Sequence, residues 1–189
     1  MDIKKSLNWA IGLALLLSIV SLLVPVWSFA VDPYGYKDQY YYFSFGNYIT
    51  WGAYPNITDF TSISGLWSEM TFTLTIYILT TLSVIILLAL VLLELKQKNE
   101  DEVKSKISPI LLIAALMAFL SPLLFAFLMP YAMNNSGLLI RIGFWGSAYD
   151  GHFNYGPHIG WFLQLASLLL IMVSIIVIYQ SKTPKAPNP

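Results

Sequence analysis

Four long apolar runs, separated by polar and aromatic stretches, set the plan of the chain. Leu7 to Phe29, Glu69 to Leu95, Ser108 to Met133 and His158 to Gln180 are each about 20 residues or more, with almost no charge inside them. That is the length an α-helix needs to cross a hydrocarbon core. The runs predict spans at 7–29, 69–95, 108–133 and 158–180. Between them lie an outer segment at 30–68, an inner connector at 96–107 and a second outer segment at 134–157, with a polar tail at 181–189. Inside the outer segments the period changes from helical to extended. Residues 40 to 45 (Tyr-Tyr-Tyr-Phe-Ser-Phe), then Gly46-Asn47, then Tyr48-Ile49-Thr50-Trp51 read as strand, turn, strand, a β-hairpin pattern. Leu138 to Trp145 alternates, with Ile140, Ile142 and Phe144 on one side, and predicts a further strand broken by Gly146.

The first run has a rival reading as a secretory signal peptide, with Lys4-Lys5 before it and Ser28-Phe29-Ala30 as a small-x-small site. Its apolar core is longer than the roughly 7–15 residues of such segments, which favours a membrane span. Within it Ala10, Ala14 and Ser18 recur every four residues, and small residues on one face let membrane helices approach closely. Ser108-Pro109 opens the third run, where proline loses no helix bond. Pro122 lies mid-run and predicts a kink.

Charge then fixes an orientation. With four spans, both termini and the 96–107 connector share a side that holds Lys4, Lys5, Lys96, Lys98, Lys104, Lys106, Lys182 and Lys185, against only Lys37 and Arg141 on the other. This bias predicts both termini inside and the aromatic segments outside the cell membrane. The two Asn-x-Ser/Thr acceptor sites, at Asn56 and Asn134, fall in the outer segments and are candidate glycosylation positions. The expected fold is therefore an all-α four-helix membrane bundle with a small extracellular antiparallel β-sheet built from the two outer loops.

Composition narrows the function classes. The chain is 57% hydrophobic and 11% charged, less than half the charge of a typical soluble domain, roughly 25%. Its net charge is zero and it has no cysteine, which argues against a nucleic-acid partner, thiol chemistry and disulfide staples. The centres of the four runs carry no ionisable residue, the usual mark of a proton or ion path. Asp150, His152 and His158 are the one set that could hold a metal. Their spacing matches no established metal motif, and loop histidines hydrogen-bonded at the membrane surface are the expectation. No catalytic constellation, cofactor loop or metal site is predicted, and the chain reads as a non-enzyme.

What remains is the aromatic stretch. Val26 to Trp67 carries 14 aromatic residues in 42. Trp27, Trp67, Tyr131 and Trp161 sit near span ends, where interfacial aromatics gather. Tyr40, Tyr41, Tyr42, Phe43, Tyr48 and Trp51 lie too far from a span for that, and form either the core of an outer sheet or an exposed binding face.

These residues resemble the claudin and peripheral-myelin-protein group of tetraspan proteins. Val24-Pro25-Val26-Trp27 is similar to that group's entry into its first outer strand. Gly65-Leu66-Trp67 matches its Gly-Leu-Trp, and Phe153-Asn154-Tyr155-Gly156 followed by Ile159-Gly160-Trp161 is similar to its entry to the fourth span. The chain lacks the group's two loop cysteines and has a longer Trp27 to Trp67 spacing. The resemblance implies that a strand from the second outer loop joins the first-loop sheet, with the tryptophans packed at its membrane end. It also implies lateral assembly or cell-surface contact through that sheet. The other reading is an accessory subunit of a larger respiratory or secretory membrane complex. Either way the expected partners are membrane lipids, copies of the chain itself or other membrane proteins, met through outer loops and helix faces.

Overall fold

A computed structural model describes residues 3–31, 38–43, 47–51, 57–59, 68–97, 100–135, 143–148 and 153–180. Four helices dominate: α1 (Ile3–Leu23), α2 (Ser68–Gln97), α3 (Glu100–Asn135) and α4 (Ile159–Gln180). Each contains a segment long and apolar enough to cross a membrane, namely Lys4–Leu23, Phe72–Lys96, Ile107–Asn135 and Ile159–Gln180. The helices pack in a ring, each against the next, with α4 closing on α1. Ser18 with Ser167 and Ser21 with Gln164 pair rising numbers on α1 with falling ones on α4, so these two neighbours run antiparallel. Large apolar side chains including Leu16, Ile86, Leu116 and Leu169 stay exposed on the outer faces, as expected where the surrounding solvent is lipid.

Six short strands form one antiparallel sheet: β1 (Pro25–Val31), β2 (Asp38–Phe43), β3 (Asn47–Trp51), β4 (Ile57–Asp59), β5 (Gly146–Ala148) and β6 (Phe153–Pro157). Their order is β4-β3-β2-β1-β6-β5, so the segment between α1 and α2 supplies four strands and the segment between α3 and α4 two. The expected hairpin is present as β2 and β3, with Tyr42 opposite Tyr48 and Tyr40 opposite Thr50. Of the expected turn, Gly46 lies outside the described positions and Asn47 is the first residue of β3.

Several boundaries differ from the sequence expectation. The first span does not run to Phe29: α1 stops at Leu23, and 25–31 is strand. Pro25 is the cause, since the residue before proline is driven out of the helical region and into extended backbone. The inner connector is not 96–107, because α2 continues to Gln97 and α3 begins at Glu100. Most of the charged residues there are good helix formers, so the end of apolarity is not the end of the helix. Likewise α3 continues past Met133 to Asn135, which puts Asn134 in a helical turn. The strand expected over 138–145 falls mostly on residues that the structure does not describe. Residues 136–142 lie outside the described positions, 143–145 are not strand, and β5 starts at Gly146, the expected break. β6 falls in the segment the sequence predicts as outer loop, and its last residue is Pro157. A strand end tolerates proline.

The interior falls into two clusters. One, toward the end with the chain's N-terminus, is built from residues such as Ile11, Val84, Leu88, Leu111 and Ile175. The other joins the bundle to the sheet and contains Leu22, Val26, Trp27, Tyr77, Phe125 and Met129. Between them lies a layer of buried hydroxyls and one amide.

Candidate functional site

The junction of sheet and bundle is the most constructed part of the molecule. Val24 alone separates α1 from β1, and His158 alone separates β6 from α4. β1 and β6 are paired neighbours, from Trp27 opposite Pro157 to Val31 opposite Phe153. The His158 N–H continues that ladder by donating to the Val26 carbonyl at 2.9 Å. Two adjacent helices therefore run directly into two adjacent strands, and the sheet has little freedom to swing against the bundle.

Gly160 makes this joint close. A Cβ there would stand 2.8 Å from the Ser21 carbonyl oxygen, 2.9 Å from Val26 Cγ1 and 3.0 Å from the Pro25 carbonyl oxygen. Two of the three are backbone atoms that cannot rotate away. The Gly160 carbonyl accepts the Tyr77 hydroxyl of α2 at 3.2 Å. Next to it, Trp161 donates its indole N–H to the Pro122 carbonyl of α3 at 3.0 Å. One turn of α4 thus touches α1, α2, α3 and β1.

Aromatic rings fill the space above. Trp27 is fully buried, with Phe144 and Tyr155 each 6.2 Å away between ring centroids. Phe144 is also 5.3 Å from Trp161 and 6.4 Å from Phe125, and Phe125 is 5.3 Å from Tyr77. Tilted and edge-on rings at such distances add about 0.5–1.5 kcal/mol per pair to their area burial. This explains the alternation read near Trp145. Phe144 points inward, while Trp145 is exposed and lies against Gly156 of β6.

Below the rings, the polar layer ties the helices in pairs. Ser18 and Ser167 share a hydrogen bond of 2.8 Å, and Ser167 donates to the Ala14 carbonyl at 2.9 Å. Ser21 donates to the Ser18 carbonyl at 2.7 Å and to the Gln164 side-chain carbonyl at 3.3 Å. Across the bundle, Thr81 and Ser121 share a bond of 2.9 Å. Ala14 and Ser18 thus lie on the α1 face that meets α4. Buried hydroxyl pairs of this kind hold membrane helices in register, because hydrocarbon offers them no other partner.

The expected site residues divide clearly. Trp27, Gly160 and Trp161 come together at the junction. Gly65, Leu66, Trp67 and Asn56 lie outside the described residues. Asn134 is exposed in the last turn of α3. Tyr40, Tyr41, Tyr42 and Phe43 lie on β2, and Tyr48 and Trp51 on β3. Pairing sets their faces. Trp27 opposes Tyr42, Tyr42 opposes Tyr48, and Phe29 opposes Tyr40, so Tyr40, Tyr42 and Tyr48 share the face of Trp27. Ser28, Tyr41, Ile49 and Ile57 form a row across four strands on the other face. Gln39 and Trp51 form the next row.

His158 is half-buried, and that burial lowers its pKa below the ordinary histidine value. A hydrogen bond to the Pro25 backbone opposes the shift in part. Asp150 and His152 lie outside the described positions, and among the described residues no group of three or more His, Asp or Glu side chains gathers. Sequence reading missed Tyr77, Phe125, Phe144 and Tyr155 as junction residues and Gln164 as part of the polar layer. A glutamine and a tyrosine inside apolar runs were the available signal, since buried polar groups require partners. No protein-family model matches the chain, and no curated protein matches it.

Proposed function

We propose that this chain is a non-enzymatic multi-pass membrane protein whose aromatic sheet mediates lateral assembly or cell-surface contact. The lysine bias supports a topology with both termini inside and the sheet outside the plasma membrane. The observation that carries the functional reading is the strand register. It divides the β2 and β3 aromatics between two faces, and a bundle below can cover only one of them. The Trp27 face turns onto the bundle, as the complete burial of Trp27 attests. The row Tyr41, Ile49 and Ile57, with Trp51 beside it, belongs to the opposite face, where Ser147 and Asn154 are exposed. A row of apolar residue types at register positions opposite the Trp27 face has the composition of an interaction surface. The edge strands β4 and β5 have three residues each, too short to favour edge-to-edge pairing. Contact is thus expected through the face and not through the rim. The claudin-like entry motifs agree with such a role.

Purification in a mild detergent with light scattering tests this. The expected result is an assembly of several copies that Tyr41→Ser with Trp51→Ser reduces to the single chain. A single chain in both cases would overturn the reading. Co-purification with other chains in fixed ratio would move the protein to the accessory-subunit role.

A further inference from the structure

The rim of the bundle where β6 enters α4 carries an exposed aromatic pair. Trp145, the residue before β5, is 72% exposed. Its ring stands edge-on to Phe162 of α4, with 6.3 Å between centroids. Phe162 is itself exposed and belongs to an exposed stripe on α4 that continues through Leu169, Val173 and Ile176. These positions recur at helical spacing, so they share one outer face of the span. Gly156 of β6 lets the indole lie down on the strand. A Cβ there would stand 3.2 Å from Trp145 Cδ1 and 3.4 Å from its Cγ, so a larger residue would lift the ring. Phe144, one residue earlier, packs into the junction instead, which holds the segment from the other side.

A ring at this height meets two surroundings. Below it runs the apolar outer face of the segment Ile159–Gln180, long and apolar enough to cross a membrane. Above it lie the last residues of β6. Hydrocarbon would take the ring and offer the indole N–H no acceptor. Water would take the N–H and leave the ring's apolar area exposed. The glycerol-ester layer of a leaflet answers both, with carbonyl acceptors beside the first methylenes of the acyl chains. We propose that Trp145, backed by Phe162, is a lipid anchor seated in that layer of the leaflet on the sheet's side. Because Trp145 directly precedes β5, an edge strand of the sheet, the anchor holds that edge at a fixed height on the membrane. The backbone joint at β1 and β6 fixes the base of the sheet, and the anchor fixes its rim. The inference rests on the membrane-spanning reading of the helices and not on the role given to the sheet.

Fluorescence of the full chain in phosphatidylcholine liposomes tests it. The difference in emission between the wild type and Trp145→Phe isolates this indole. Lipid brominated near the carboxyl end of its acyl chains should quench that difference more strongly than lipid brominated near the methyl end, and aqueous iodide should quench it little. Quenching by iodide and by neither lipid would put the ring in water. Protection from all three would put it against another protein. Either result overturns the anchor. The holding role has its own readout. The chain has no cysteine, so Ser147→Cys, at an exposed position of β5, can carry a single nitroxide. Adding Trp145→Ser should raise that label's collisions with an aqueous nickel chelate relative to oxygen. Trp9→Ser, which removes an exposed indole at the other end of the bundle, should leave them unchanged. Equal changes from both variants, or none from Trp145→Ser, would overturn the holding role. Absence of bromolipid quenching from every tryptophan of the chain would overturn the membrane reading instead.

Discussion

Replacing Gly160 by alanine is the most specific test of how the sheet is held. The added methyl carbon would enter 2.8 Å from the Ser21 carbonyl oxygen and 3.0 Å from that of Pro25. Carbonyls cannot swing aside as a side chain can, so the start of α4 must retreat from β1. That retreat strains the Val26–His158 backbone bond of 2.9 Å and the Trp161–Pro122 bond of 3.0 Å. Overpacking of this kind costs about 1–3 kcal/mol. Alanine regains part of it, because glycine is about 1 kcal/mol worse in a helix interior and less so in a first turn. The net loss is about 1–2 kcal/mol, a fall in melting temperature of about 2–8 °C for a chain of this length. Gly12→Ala is the matched control, since it makes the same exchange on α1 where a Cβ meets nothing within 4 Å. It should hold or raise the melting temperature. Thermal unfolding in one detergent, followed by tryptophan fluorescence, compares the two. If Gly160→Ala melts with Gly12→Ala, the close approach of α4 to β1 is not a constraint on the fold.

Three further outcomes follow from the same geometry. Trp27→Ala removes a fully buried indole from the junction cluster and should cost about 3–5 kcal/mol, whereas loss of a ring at a lipid interface would leave the melting temperature unchanged. The pKa of His158 is lowered by burial, so the unfolded chain binds that proton first. Stability is full above the ordinary value of 6.5 and falls as pH drops through it toward the folded value. The melting temperature should therefore decline between pH 7.5 and pH 5.5 more in the wild type than in His158→Gln, and parallel curves would contradict this. Ala30 of β1 and Asn154 of β6 are direct partners, so their Cα atoms fall within about 4.5–5.5 Å, inside disulfide range. Because the chain has no cysteine, Ala30→Cys with Asn154→Cys should oxidise to a single internal disulfide. Two thiols open to alkylation would count against the β1–β6 pairing.

Much of this architecture was legible in the sequence because its signals are long or strongly local. Four apolar runs gave four helices, and Tyr-Tyr-Tyr-Phe-Ser-Phe before Gly-Asn gave β2 and β3. Helix ends were not legible from apolarity. Pro25 ended α1 six residues early, and charged residues extended α2 and α3 beyond the apolar runs. β6 stayed hidden because its register partner, β1, is more than 120 residues away in sequence. The junction shows the same division. Trp27, Gly160 and Trp161 stood out as residue types at span ends. Phe144, Tyr155 and Phe125 acquire meaning only when three segments meet. The Ser18–Ser167 and Thr81–Ser121 pairs depend on which helices are neighbours, which no single run reveals.

The face assignment of the sheet carries the functional proposal, and site-specific photo-crosslinking in native membranes tests it most directly. Benzoylphenylalanine placed at Tyr41 or Trp51 should yield an adduct with another protein chain, at twice the chain's mass if the partner is a second copy. The same probe at Tyr40 or Tyr42, on the Trp27 face, should yield none. Adducts from Tyr40 and Tyr42 but not from Tyr41 and Trp51, or no adduct from any of the four, would contradict the account.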